Sequence, residues 1–533
     1  MLATGLSLLP LLTVYLATTA TAYPLGSGKL PLVQINEHNQ FTTEDGKVIM
    51  PRGTSVVRKT VDMVTISDEA IQFFQKEMGF NVIRLGFEWH LLEPTPGVYN
   101  QTYIQLMEDL VNRFAEYGIY SFLDMHQDLW APQYCGHGVP SFYADPYDEP
   151  GFAKNGEFAF PAPMAEPRYP ANASGRFPQI TNCDQAEGTI LGWGGVYGTF
   201  ALGAAAQRLY DNANGYLDRF GDMWQMVARR FANNSGVLGY ELINEPWVGD
   251  VFRNPTLLVP SNADRQNLQR VNAYLHDRIR AEDDRRIIFF EPAAGGNMPG
   301  AVGYSEGPGG PSYNNRQVLS YHLYCPKVEI NFKTDNTILK WLLKNVGPWA
   351  QDVDCQMVYD QEAGAIIERA KGLGVAGLLT EFGASSGDHV GTWEAIGHLQ
   401  NLMDQSFTGW IYWLLSETTT SMDQIHPTIA KALTRTYAKS TAGTPETMKF
   451  DPETGDFQLI YQPASGDPKN TETEIYYRPD LYYPQGASCT IVPAGAASCQ
   501  LDSGNNRITV NHETKDSSTA PGKITVLVKR LVA

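Results

Sequence analysis

From about residue 30 to residue 437 a short apolar segment and a longer helical one alternate eight times. This alternation constrains the fold more than any other feature of the chain. The strand candidates are Val48–Val56, Asn81–Trp89, Tyr120–Gln127, Val237–Pro246, Arg286–Pro292, Val318–Tyr324, Gly377–Gly383 and Gly409–Leu415. Most are near-continuous apolar runs, as strands covered on both faces of a parallel sheet require. Helical spacing fills the stretches between them, for example Asp68–Met78, Tyr103–Tyr117, Leu217–Ala232 and Asn267–Ala281. Eight such units predict an α/β fold of the (β/α)8 TIM-barrel type over residues 30–437. An open doubly wound sheet is the alternative, but no G-x-G-x-x-G or P-loop follows the first strand.

Two departures from the alternation matter. Between the third and fourth candidate strands the chain runs through residues 128–236, rich in Pro, Gly and aromatics over Leu129–Gly215. So long an insertion is rarely idle, and in a barrel it rises from the C-terminal face, where active sites sit. Near Ala438–Thr447 the composition turns polar, which predicts a linker. Beyond it, short β-type runs at Phe457–Tyr461, Glu474–Tyr477, Cys489–Val492, Ile508–Val510 and Ile524–Val528 predict a C-terminal β-sandwich domain over residues 445–533.

The last residues of each strand face the catalytic rim of such a barrel. Here they read Asp124-Met125-His126-Gln127-Asp128, Asn244-Glu245-Pro246-Trp247, Glu291-Pro292, His322-Leu323-Tyr324 and Glu381-Phe382-Gly383, with Arg84 on the second strand and Trp413 on the eighth. Acids, imidazoles, amides and aromatics converge there, without a cysteine and without His-x-His or His-Glu-x-x-His spacing, so no metal or other cofactor is expected. Paired carboxylates beside aromatic platforms are the equipment of glycoside hydrolysis, in which one acid protonates the leaving oxygen and a second carboxylate attacks or activates water. Glu245, Glu291 and Glu381 all compete for these two roles, and spacing alone leaves the choice open.

The motif Asn244-Glu245-Pro246, with Thr380-Glu381-Phe382-Gly383, resembles glycoside hydrolase family 5. Asp124-Met125-His126-Gln127-Asp128-Leu129 followed by Gly138-Val139-Pro140 resembles the endoglycoceramidases within it. The resemblance covers nearly all of residues 30–533. It implies a retaining endo-β-glycosidase that cleaves between the intact oligosaccharide and ceramide of glycosphingolipids. Glu245 would then be the acid/base and Glu381 the nucleophile. Asn244 would bond the 2-hydroxyl at the scissile bond, and Arg84 and Tyr324 would orient the nucleophile with His322 beside the pair. His126 and Asp128 would hold sugar hydroxyls, Lys59 would reach the glycan, and Trp413 would form the stacking floor. The first strand ends Arg52-Gly53-Thr54-Ser55, where many relatives place an Asn. Two close carboxylates cannot both ionise easily, so Glu245 should stay protonated until Glu381 is esterified. The ceramide would need an apolar groove, for which Phe142, Tyr143, Phe152, Phe158, Phe160, Met164, Trp193 and Tyr197 of the insertion are candidates; equally, they could form a small core for the loop. Rival readings are an exo-acting glucosylceramidase or steryl β-glucosidase, a β-glucanase, or an inactive glycolipid-binding protein.

The flanks point to export. Leu2–Leu16 is uncharged and mostly apolar, and Ala20-Thr21-Ala22 precedes Tyr23, which reads as a cleavable signal peptide over residues 1–22. No later stretch approaches the length of a membrane span, and the C-terminus carries Lys529 and Arg530 rather than a hydrophobic tail. The mature protein is therefore expected to be secreted or delivered to an acidic organelle, acting on lipid at a micelle or membrane surface without a stable anchor. Six cysteines without a C-x-x-C pair suggest disulfides, most simply 135–183, 325–355 and 489–499. Asn100, Asn172 and Asn233 lie in glycosylation sequons. With 40 Lys and Arg against 58 Asp and Glu, the net charge of −18 argues against nucleic acid as a partner.

Overall fold

The alternating runs fold as a closed barrel whose lower end is plugged by the N-terminal segment. The structure, a computed structural model, describes residues 29–59, 66–144, 193–198, 200–294, 301–325, 354–383, 390–464, 470–513 and 522–531. The signal segment, Asn172, and Phe152, Phe158, Phe160 and Met164 lie outside the described residues. Three short strands come first: β1 (Val33–Ile35), β2 (Phe41–Thr43) and β3 (Val48–Ile49). The barrel strands follow as β4 (Arg52–Val57), β5 (Val82–Phe87), β6 (Tyr120–Met125), β7 (Val237–Glu241), β8 (Ile287–Phe290), β9 (Gln317–Leu323), β10 (Ala376–Phe382) and β11 (Gly409–Tyr412). They pair in parallel in chain order, and β11 closes on β4.

Side chains alternate across each strand, so every second residue points into the barrel. At the lower end these are apolar: Val82, Tyr120, Phe122, Leu238, Ile287, Phe289, Val318, Leu378 and Ile411 form one buried cluster with Val33, Ile35 and Phe41 of the N-terminal hairpin. Phe289 stacks on Phe122 at 4.7 Å and on Phe41 at 6.4 Å. Toward the upper end the inward positions become Arg84, Asp124 and Glu241, all fully buried. The parallel register places Asp124 opposite Glu241, and Arg84 two residues below the Gly86–Asp124 pair.

The helix Gln101–Glu116 shows why the connectors are helical. Asn100 caps it by accepting from the Tyr103 N–H, and Tyr103, Ile104, Met107, Leu110, Val111 and Phe114 bury one stripe against the barrel. Each such burial contributes roughly 1.5–3 kcal/mol. The helix candidates Asp68–Met78 and Asn267–Ala281 carry π-helical turns, at Phe73–Glu77 and Asp264–Leu268. The second overlaps only the start of its candidate.

Two expectations are corrected. Val48–Val56 is not one strand, because the chain changes sheets at Pro51, which has no N–H to extend a ladder. The segment Ala438–Thr447 is not a linker but lies in strands β12 (Tyr437–Thr441) and β13 (Gly443–Phe450). Partly exposed Lys439, Ser440 and Thr444 are interspersed with buried Ala438, Thr441 and Pro445, and Tyr437 packs under the Arg52 guanidinium at 3.8 Å while donating to the Gly79 carbonyl at 2.7 Å. The remaining strands are β14 (Phe457–Pro463), β15 (Glu472–Tyr476), β16 (Ala487–Val492), β17 (Ala497–Asp502), β18 (Arg507–His512) and β19 (Ile524–Arg530).

They form a four-stranded sheet, β13-β14-β19-β16, facing a seven-stranded one, β1-β2-β3-β12-β15-β18-β17. Met448, Leu459, Tyr461, Val526 and Val528 of the first meet Ile475, Ile508 and Val510 of the second in a shared core. The sandwich therefore takes three strands from the chain's N-terminal part, an arrangement the sequence reading missed. Cys489–Cys499 joins β16 to β17 and so links the two sheets, and Cys325–Cys355 ties the end of β9 to the helix Cys355–Leu373. The expected 135–183 pair involves Cys183, outside the described residues.

Candidate active site

Arg84 stands at the centre of the upper barrel. Its Nε donates to Glu241 Oε2 at 2.6 Å, one terminal nitrogen to Glu381 Oε2 at 3.1 Å, and the other to Asn244 Oδ1 at 2.7 Å. The same nitrogen lies 3.2 Å from Asp124 and 3.4 Å from Glu291. Burial alone would disfavour a guanidinium here, but Asp124, Glu241, Glu381 and Glu291 hold its pKa well above the usual value. Four carboxyl groups around one cation cannot all be charged at low cost. The relief falls on Glu291, whose pKa burial and the Glu241 charge push far up.

Glu245 follows β7 on the turn Asn244-Glu245-Pro246, with a left-handed φ of 41°. That conformation is costly for a side-chain-bearing residue and has to be held from outside. Glu291 Oε2 accepts the Glu245 N–H at 3.1 Å, and Gln127 donates to the Asn244 and Glu245 carbonyls at 3.0 and 2.9 Å. Glu291 thus supports Glu245 and its turn. Asn244 is fixed from both ends, by Arg84 on its oxygen and by the Gln127 carbonyl, which accepts from its nitrogen at 2.9 Å.

Glu381, near the end of β10, is buried at 7 % exposure. Tyr324 donates to its Oε1 at 2.6 Å and Arg84 to its Oε2. Gly383 allows the next strand end to come close: a Cβ there would lie 2.4 Å from the Trp413 carbonyl oxygen. Oxygens of Glu245 and Glu381 and a nitrogen of His322 all lie within 4.8 Å of one another. Carboxyl oxygens this near fit the close pair of retaining glycosidases, about 5–5.5 Å apart, better than the wider inverting pair.

The two carboxyls differ in surroundings. Glu245 is 35 % exposed and meets His322 Nδ1 at 2.9 Å. Burial, then the Asp128 charge, raises its pKa to about 7. Burial also raises Glu381, but two firm donors favour its ionised form. His322 is pushed down to about 4 by burial, so it is neutral above that pH. Its Nδ1 can then accept a hydrogen bond from the Glu245 acid in one tautomer, or donate one to the Glu245 carboxylate in the other, which suits a group that alternates between acid and base.

On the other side lies an ion-pair chain. His126 meets Asp124 at 2.7 Å through Nδ1 and Asp128 at 3.4 Å through Nε2. Burial opposes its charge, but the Asp124 and Asp128 carboxylates raise its pKa to about 10. Asp128 also meets Lys59 at 3.3 Å and His137 at 2.8 Å. Trp413 stacks on the His126 ring at 5.3 Å and 9°. All ten residues singled out from the sequence thus lie in one connected cluster. Sequence reasoning passed over Glu241, Glu88 and His137. Glu241 and Glu88 are charges set within apolar runs, a signal that could have found them.

The described insertion aromatics all make packing contacts. Tyr143 stacks on Trp89 and donates to Glu93 at 2.8 Å, Phe142 packs against the barrel core, and Tyr197 stacks on Trp247 while accepting the Leu129 N–H. Tyr143 is buried and belongs to the core, whereas Phe142 and Tyr197 pack on the core while remaining half-buried. The Trp193 side chain is outside the described residues.

A carboxylate pair at retaining distance, on the C-terminal rim of a (β/α)8 barrel, defines a retaining glycoside hydrolase. The family model described as cellulase (glycosyl hydrolase family 5) matches residues 43–159 and 189–419, and that of the family 5 C-terminal domain matches residues 435–527. The chain belongs to glycoside hydrolase family 5. It is 31 % identical to an endoglycoceramidase of Cyanea nozakii over 96 % of this chain and 97 % of the relative. It is 33 % identical to an endoglycoceramidase of Hydra vulgaris over 80 % and 75 % of the two chains. Among solved structures, endo-glycoceramidase II from Rhodococcus sp. in complex with ganglioside GM3 shares the fold at a TM-score of 0.67 and 21 % identity, covering 92 % of this chain and 99 % of that one.

Proposed function

We propose that this chain is an endoglycoceramidase: a retaining endo-β-glycosidase that hydrolyses the linkage between the intact oligosaccharide and ceramide of glycosphingolipids. One observation carries the reading. The asymmetric pair Glu245 and Glu381, within 4.8 Å, lies in a chain that aligns with an endoglycoceramidase almost from end to end.

Glu381, ionised by Tyr324 and Arg84, attacks the anomeric carbon while Glu245 protonates the oxygen leaving with ceramide. The glycosyl ester on Glu381 removes a negative charge beside Glu245, whose pKa falls. Glu245, now a carboxylate, takes a proton from the water that attacks the ester and releases the glycan. Asn244, fixed by Arg84 and Gln127, bonds the 2-hydroxyl. His126 and Asp128 hold further hydroxyls, Lys59 reaches the glycan, and Trp413 is the floor under the sugar.

The chain acts at a micelle or membrane surface. Among the described residues no helix is long and apolar enough to cross a membrane. Residues 1–22 direct it to secretion or to an acidic organelle, and N-terminal sequencing of exported protein tests this by beginning at Tyr23 or not. Mass spectrometry of products from lactosylceramide tests the function. Intact lactose plus ceramide is expected. Stepwise release of single sugars would replace endo with exo action, and cleavage of soluble β-glucan alone would remove the ceramide assignment.

A further inference from the structure

His137 lies outside every role assigned so far, yet it is built into the site with more constraints than several residues that have one. It sits in Cys135-Gly136-His137-Gly138, and both flanking glycines are required by close approach. A Cβ at Gly136 would lie 1.9 Å from the Asp128 carbonyl oxygen, and one at Gly138 would lie 2.4 Å from the Gln127 Cβ. Gly138 also has a φ of +116°, which side chains disfavour. The segment therefore lies flat on the end of β6. His137 and Asp128 exchange both backbone hydrogen bonds, at 2.8 and 3.1 Å.

The side chains repeat this pairing. His137 Nε2 meets Asp128 Oδ2 at 2.8 Å, and Nδ1 meets Glu88 Oε1 at 3.0 Å. Glu88, just beyond β5, is fully buried. A carboxylate at each ring nitrogen favours the doubly protonated ring: burial opposes the charge, but Asp128 and Glu88 raise the His137 pKa above its usual value, the Glu88 contact being an ion pair rather than a directed hydrogen bond. The other charged or titratable groups facing it are His126, stacked at 5.8 Å and 16°, and His90, which shares Glu88; Lys59 approaches through Asp128. His126, His137 and Lys59 thus converge on Asp128, and despite burial the two histidines hold the Asp128 carboxyl well below its usual range.

We propose that His137, held as an imidazolium by Glu88, is a positioning residue that fixes and ionises Asp128 for the glycan. The inference rests on the reading above that Asp128 holds sugar hydroxyls. His137 then acts on substrate only through Asp128, and Glu88 only through His137.

The test is the pair His137→Gln and Asp128→Asn, with the double variant, assayed for kcat and KM on lactosylceramide micelles. The loss of one charge-assisted hydrogen bond on Asp128 should raise KM about tenfold in His137→Gln, with kcat little changed. The double variant should be no worse than Asp128→Asn alone, because the two act in series. Ring nitrogen shifts in labelled protein should show His137 doubly protonated at neutral pH, and singly protonated in Glu88→Gln. Additive losses in the double variant, or a neutral His137 ring in the parent protein, would overturn the proposal. If Asp128→Asn itself left KM unchanged, the sugar-holding role of Asp128 would fail instead, separately from the claim about His137.

Discussion

Replacing Tyr324 by Phe removes one oxygen and tests how the nucleophile is kept charged. The hydroxyl donates to Glu381 Oε1 at 2.6 Å, and Arg84, at 3.1 Å on the other oxygen, is the second firm donor. Water has little access to replace the lost bond, since Glu381 is 7 % exposed. A hydrogen bond to a charged acceptor contributes about 1.5–3 kcal/mol, and one pKa unit corresponds to about 1.36 kcal/mol. Without Tyr324 the Glu381 pKa should therefore rise by about 1–2 units. Burial already raises this carboxyl, so the change adds to an upward shift. The acidic limb of the kcat/KM profile should move to higher pH by about 1–2 units, because Glu381 must be ionised to attack. The plateau should fall less, since the charge that Tyr324 stabilises is consumed in the attack. The assay is kcat/KM against pH on an activated aryl lactoside, with the melting temperature as a control. An acidic limb that stays in place in a folded variant, or moves down, would refute the reasoning.

Other outcomes follow from the same structure. Glu245→Gln should lower kcat on glycolipid by about 10²–10⁴-fold, the usual contribution of a general acid, yet spare glycosylation by substrates whose leaving group needs no proton; parallel kinetics on the two substrates checks this. The same variant should be more stable than the parent at neutral and alkaline pH. A carboxyl whose folded pKa is raised to about 7 contributes stability that is full below about pH 4.5 and lost as pH rises through 7. Melting curves should show the gain vanish at acid pH. Arg52→Met should cost about 3–5 kcal/mol in denaturant unfolding, because it breaks the buried pair with Asp404 where barrel and sandwich meet. Cys489→Ser should lower sandwich stability by about 2–3 kcal/mol, the value for a short closed loop.

The barrel was legible because its strands are buried on both faces and read as unbroken apolar runs, and seven of the eight candidates begin within one residue of the observed strand. The hairpin at Val33–Thr43 was not legible, because three-residue strands leave no period to count. The strand it leads into, β3, has its other partner hundreds of residues away, as Ser440 opposite Ile49 shows. Polar composition misled at Ala438–Thr447, where Lys439, Ser440, Thr444 and Thr447 are partly exposed on strands that bury Ala438, Thr441, Gly443 and Pro445. Within the site, strand-end reading found the residues that face the rim. It missed Glu241 and Glu88, which the sequence marks only as charges within apolar runs; that they partner Arg84 and His137 is visible only once the parallel register is known. Spacing could not rank Glu245, Glu291 and Glu381. The structure separates them by what each touches: the Glu245 N–H, with longer contacts to Arg84 and His322, for Glu291; two firm donors for Glu381; and one neutral imidazole for the partly exposed Glu245.

The central claim is that Glu381 carries the glycosyl group and Glu245 manages the proton. The most direct measurement is peptide mapping after incubation with a 2-deoxy-2-fluoro lactosyl donor bearing an activated leaving group, which slows release of the intermediate. The account predicts one disaccharide per chain, esterified to Glu381, and none in Glu381→Gln. A label on Glu245 or Glu291, or an unlabelled enzyme whose product has inverted anomeric configuration, would contradict it.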